Sequence, residues 1–150
     1  MAQIRDPAVA GSFYPQEPVA LQRQLEGFLS QKPRLETKPK ALIVPHAGYI
    51  YSGSVAASAY TQLIPIRERI QRVVLLGPAH RVGFRGLAAS SAEYFSTPLG
   101  LVRIDRQALD EILLLPQVRE FDRAHLEEHS LEVQLPFLQA VLKKDFGLIP

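Results

Sequence analysis

Two histidines stand in nearly matching settings. His46 lies in KALIVPHAGYIYSG (residues 40–53) and His80 in RVVLLGPAHRVG (residues 72–83), 34 residues apart. Each follows a short apolar run and sits in a turn rich in glycine and proline. An apolar run bounded by turn signals reads as a buried strand. A histidine just past its end lies at the carboxyl edge of a sheet, where open α/β folds bind ligands. Neutral imidazole suits iron, zinc and copper. Pro45 and Pro78 stiffen the two turns, and Gly48 and Gly77 allow unusual torsions or close approach. Two imidazoles make half a centre: non-haem iron commonly takes two histidines and a carboxylate, and catalytic zinc takes three protein ligands. The alternative for each is a loop histidine bonded to backbone.

The other two histidines, His125 and His129, are spaced i, i+4 in AHLEEHSLE. On a helix they would share a face, but the glutamate of a metalloprotease H-E-x-x-H pattern is missing. Either they cap or solvate a helix start, or His129 lines the crevice and exchanges a proton. Glu127, Glu128 and Glu132 suit the positive end of that helix, and Glu132 is a candidate to orient a histidine. Tyr49 and Tyr51 flank the His46 turn; packing accounts for both, and Tyr49 is also a candidate donor to a bound ligand. There is no G-x-S-x-G elbow, P-loop or G-x-G-x-x-G.

The elements that must carry these residues can be read in order. Residues 5–15 (RDPAVAGSFYP) form an ordered arm, and 17–30 a helix with Pro18 in its first turn. Residues 31–40 connect it to a strand at Ala41–Val44 and a loop at Pro45–Gly53. A small-residue helix spans Ser54–Leu63, capped by Ser52 or Ser54 and followed by Pro65. Val73–Leu76 is a strand with its loop at Gly77–Gly86. Leu87–Ser91 is a third strand, AEYFSTP (92–98) a turn and linker, and Leu101–Ile104 another strand. Asp105 caps a helix through Leu115 that Pro116 ends. Residues 126–144 form the last helix, kinked or restarted at Pro136. Phe146–Pro150 opens a further strand. This order predicts an α/β fold, a three-layer α/β sandwich with a mainly parallel central sheet that is incomplete at the C-terminus.

Composition bounds the rest. The 150 residues carry a formal net charge of +2 and are 47% hydrophobic, a globular profile that fits one domain. No basic run or stripe argues for nucleic acid, and no apolar run is long enough to span a membrane. Cysteine is absent, which excludes thiolate ligands and disulfides within these residues and fits a cytoplasmic protein. The first residues lack the pattern of a signal peptide.

Five segments together are similar to one family: AVAGSFYP (8–15), ALIVPHAGYIYSG (41–53), VVLLGPAHRVGFRGLA (73–88), STPLG (96–100) and EHSLEVQLPFL (128–138). They resemble the Memo family, called AmmeMemoRadiSam system protein B in bacteria and archaea. The resemblance runs from about Arg5 to the last residue. It implies a fold like that of class III extradiol dioxygenases, with a mononuclear Fe(II) or Cu redox site, zinc being a further candidate. His46 and His80 would be metal ligands. His129 would line the pocket as catalytic proton donor or acceptor and substrate contact, and Tyr49 would be a substrate-binding donor. The occupant of the crevice would be a small molecule or peptide. The family's chains are longer, and their later motifs, including a cysteine ligand, have no counterpart in these residues. On this reading residues 1–150 match the N-terminal half of the usual domain. A homo-oligomer, or a chain supplying the other half, would be the expected partner. A non-catalytic binding module and a dependent fragment are the rival readings.

Overall fold

The fold was analysed in a computed structural model that describes residues 2–33, 35–36, 38–142 and 145–150. It is α/β, and most strand pairs are parallel. Strand β1 (Ile4–Arg5) pairs in parallel with β4 (Tyr94–Thr97), β2 (Arg72–Val74) with β7 (Gly147–Ile149), and β3 (Leu87–Ala89) with β6 (Val118–Glu120). Only β4 and β5 (Gly100–Arg103) are antiparallel among the described strands. A parallel bridge from Ile104 to Leu148 joins the β1–β4–β5 sheet to the β7–β2 pair.

Local chemistry explains most element starts. Helix α1 (Pro18–Ser30) begins with Pro18, whose missing N–H costs nothing there. The Glu17 carboxylate accepts from Val19 N at 3.0 Å and Ala20 N at 2.7 Å. The helix buries Leu21 and Leu25 completely. Helix α3 (Arg106–Ile112) starts at Asp105, whose Oδ1 accepts from Ala108 N at 3.1 Å. It stops at Ile112, before the expected Leu115.

Helix α2 (Tyr49–Tyr60) starts five residues earlier than the serine caps predict. Neither serine caps it. The arm does that work: Tyr49 N donates to the Phe13 carbonyl at 2.8 Å, while Ser52 Oγ donates back to Ala47 O. Gly53 lets α1 lie close, since a Cβ there would fall 2.5 Å from Phe28 Cε2. A 3-10 helix, Thr61–Arg69, follows and accommodates Pro65.

Three further expectations are corrected, and one strand is added. Residues 41–44 form no ladder with the described residues, and Ile43 is fully exposed. An isolated apolar run has no neighbour to take its backbone groups, so pattern alone does not make it a strand. The expected linker at 92–98 contains β4, where Phe95 and Thr97 alternate inward. Strand β6 was unforeseen in a polar VRE segment. The expected helix at 126–144 is broken: α4 (Arg123–Leu126), an irregular stretch, a 3-10 turn at Glu132–Gln134, and α5 (Leu135–Leu142). Pro136 marks the restart, in the first turn of α5, where it removes no helical bond. Lys143 and Lys144 lie outside the described residues.

The core joins α1, α2 and α5 to the sheet. Phe137 is its centre: it stacks on Tyr60 at 5.0 Å and meets Tyr49 at 5.0 Å and Phe28 at 6.5 Å. Strand β7 is buried at every residue.

Candidate metal centre

His46, His80 and His129 come together, each offering a ring nitrogen within 4.8 Å of the others. The His80 and His129 rings stack with centroids 4.6 Å apart and planes at 15°. His46 closes the triangle at 5.3 Å from His80 and 5.9 Å from His129. His80 is exposed and the other two are half-buried, so the cluster is open to small molecules on one side. Phe13 of the arm covers His129, with ring centroids 4.6 Å apart.

The segment 128–134 (EHSLEVQ) builds this arrangement. Ser130 Oγ donates to Pro78 O at 2.7 Å, and Gln134 Nε2 donates to Pro45 O at 3.1 Å. Each bond fixes the proline directly before one histidine turn or within it. The Leu131 and Ser130 side chains pack so close to the Gly77 backbone that a Cβ there would lie 2.8 Å from Leu131 Cδ2 and 2.9 Å from Ser130 Oγ. Close approach is therefore the role of Gly77. Gly48 has an ordinary φ of −57° as the residue before α2.

Glu128 and Glu132 divide two tasks. The Glu128 carboxylate is only 5% exposed and faces His80: Oε2 accepts from His80 N at 2.5 Å, and Oε1 lies 2.8 Å from His80 Nδ1. Oε1 also accepts from His129 N and Ser130 N, each at 2.9 Å. Burial works to raise this carboxyl, but the donors from His80 and Ser130 outweigh it and hold it down to about 2. Glu132 touches no histidine, contrary to the expected orienting role. Its buried carboxylate takes the Arg5 guanidinium, the Tyr14 hydroxyl at 2.6 Å, Ala8 N at 2.8 Å and Val9 N at 3.0 Å. Arg5 also donates to the His125 carbonyl at 3.0 Å and the Glu128 carbonyl at 2.6 Å. Thus Glu132 and Arg5 fasten the arm that carries Phe13 onto the cluster.

His125 stands apart. Because α4 ends at Leu126, the i, i+4 pair shares no helix face. His125 is buried, bonded through Nε2 to the Ala88 carbonyl at 3.0 Å and packed against the Phe95 edge. Tyr49 is also a core residue: it is 2% exposed and its hydroxyl donates to Val133 O at 2.7 Å. Burial raises its hydroxyl well above the usual value. That bond occupies the proton a pocket donor would offer. Tyr51 is exposed on the outside of α2.

His129 is shifted down chiefly by burial; the Glu128 carboxylate pulls the other way, and the neighbouring His80 and His46 add to the depression. It is therefore neutral near pH 7, with a lone pair for a metal or a proton. Three imidazoles fit iron, copper or zinc in kind. Sequence reading missed Glu128 and Phe13; the adjacency of Glu128 to His129 was visible, but the fold alone brings it to His80.

The Memo-like protein family model matches residues 5–150. The chain belongs to the Memo-like family. A MEMO1 family protein of Aquifex aeolicus is 42% identical over 148 residues, covering 99% of this chain and 54% of its own length. One from Sulfolobus acidocaldarius is 40% identical over 160 residues, covering 98% of this chain and 56% of its own. The Memo-like chain thus spans about half the length of these curated relatives. No helix among the described residues is long and apolar enough to cross a membrane.

Proposed function

We propose that this Memo-like chain contributes a mononuclear metal centre in which His46 and His80 are ligands and His129 handles a proton or contacts substrate. The observation that carries the reading is the convergence of three imidazoles from three separate segments within 4.8 Å. Fe(II) or Cu is the favoured ion, with zinc as the alternative. When bound, Fe(II) or Cu would supply redox chemistry, as a resemblance to class III extradiol dioxygenases would imply, whereas zinc would act as a Lewis acid alone.

The chain's own residues do the rest. The backbone bonds of Ser130 and Gln134 hold the two ligand turns in place. Phe13 packs against His129, with ring centroids 4.6 Å apart. A neutral His129 beside the open side can take a proton from a small molecule in the crevice.

Anaerobic titration with Fe(II), and separately with Cu, tests this. Near-stoichiometric binding that is lost in His46→Ala and in His80→Ala is the expected result. His129→Ala should still bind. A loss there as large as in His46→Ala would make His129 a third ligand and remove its proton role. Unchanged binding in both His46→Ala and His80→Ala would overturn the ligand assignment.

A further inference from the structure

We propose that Glu128 is a positioning residue that locks His80 as its Nδ1–H tautomer, so that Nε2 is the nitrogen left to bind a metal. The argument starts from donor counting. Four groups converge on this one carboxylate: His80 N, His80 Nδ1, His129 N and Ser130 N. The three backbone groups can only donate. An ionised carboxylate can only accept, so it takes all three and obliges the fourth, His80 Nδ1, to carry a proton. A neutral imidazole has a single N–H, so Nε2 then holds the lone pair.

Two further features support the assignment. The same Oε1 also lies 3.3 Å from His129 Nδ1, so the carboxylate stands beside both stacked rings. The carboxylate is also fixed from the His80 backbone through its other oxygen, so it cannot swing away without releasing the turn. A carboxylate on the far nitrogen of a ligating histidine fixes the ring's orientation and makes the ligand more basic. Glu128 needs neither exposure nor contact with substrate to act this way. The tautomer is a property of the metal-free chain; only the statement about Nε2 as ligand rests on the metal-centre reading.

Long-range nitrogen–proton NMR of the full, 15N-labelled chain tests the first half. It is recorded near pH 8, above the ordinary imidazole value of about 6.5. The expected spectrum shows His80 with the proton on Nδ1 and an unprotonated Nε2. Glu128→Gln replaces one acceptor oxygen with a donor and should release His80 to a mixture of tautomers, while Glu128→Asp should retain part of the preference. A wild-type His80 protonated on Nε2 overturns the inference without any variant, even if Glu128→Gln does not fold. An unchanged His80 signature in a folded Glu128→Gln overturns it equally.

Anaerobic Fe(II) titration tests the second half. Glu128→Gln is expected to bind about 10–100-fold more weakly than wild type. Equal affinity in the two proteins would overturn the link to metal binding. A wild type with the Nδ1–H tautomer that takes up neither Fe(II) nor Cu would overturn the metal-centre reading and leave the tautomer lock standing.

Discussion

At the residue scale, the site depends on side chains whose bonds are set by burial more than by type. Tyr49 and Glu132 show this in opposite ways. Tyr49 looks like a ligand contact because it follows His46 so closely, yet it is a core residue bonded to Val133 O. Tyr49→Phe should cost about 1 kcal/mol of stability, the net worth of a typical hydrogen bond, and leave metal affinity unchanged; denaturant midpoints and Fe(II) titration together check it. Glu132 has a buried partner charge in Arg5. Breaking a buried pair on one side leaves an uncompensated charge and costs about 3–5 kcal/mol. Arg5→Met should show a loss of that size in urea unfolding. It should also loosen Phe13 from His129, visible as new mobility of the His129 ring in NMR.

At the element scale, caps and turns were legible where the signal was local. Pro18 and Asp105 mark their helices because their effects are local, the Asp105 bond spanning three residues; the Glu17 cap was not read. The same locality gives a pH dependence. The Asp105 carboxyl is held below its ordinary value of 3.8, first by Ala108 N and then by Arg72. Its folded value is depressed, so its stabilisation is complete above the ordinary value and is lost as pH falls through the depressed one. Asp105→Ala should therefore cost about 1–2 kcal/mol at neutral pH, the worth of an N-cap. The gap from wild type should close in acid, measured as paired melting curves across pH. Arg72 adds little, since its side chain is more than half exposed. What was not legible is non-local. Strand β6 has no apolar pattern of its own and exists because β3 lies beside it. The run 41–44 has the pattern but no ladder partner among the described residues. The break between α4 and α5 follows from tertiary demands on EHSLEVQ: its backbone and side chains bond to both histidine turns and to the arm, which a continuous helix would not allow. His46 and His80 were readable from their turns; the nearness of His129 to both, and the service of Glu128 to His80, required the fold.

At the scale of the whole molecule, the centre ties together segments that are far apart in the chain. Gln134 and Pro45 are separated by 89 residues, and Glu128 and His80 by 48. An ion held by such groups binds the folded chain and not the unfolded one, so it must raise stability by mass action, about 2.7 kcal/mol at a free concentration of 100 times Kd. Melting curves with and without Fe(II) under anaerobic conditions should separate accordingly, and His80→Ala should show no separation. The relatives are about twice as long as this chain. Ile43, Val74 and Leu76, on the runs leading into the two histidine turns, are exposed, so these runs present apolar surface.

The EHSLEVQ segment also imposes an order of events in time. During synthesis His46 and His80 leave the ribosome well before residues 128–134, and until those residues arrive nothing holds Pro45 and Pro78. Closing loops of this length is an entropic cost met only when the core condenses. The imidazole triangle thus cannot form before residues 128–134 have been made, and a shorter nascent chain holds only scattered histidines. Under the proposed metal-centre reading, an ion would be held only once the EHSLEVQ segment has docked on both histidine turns.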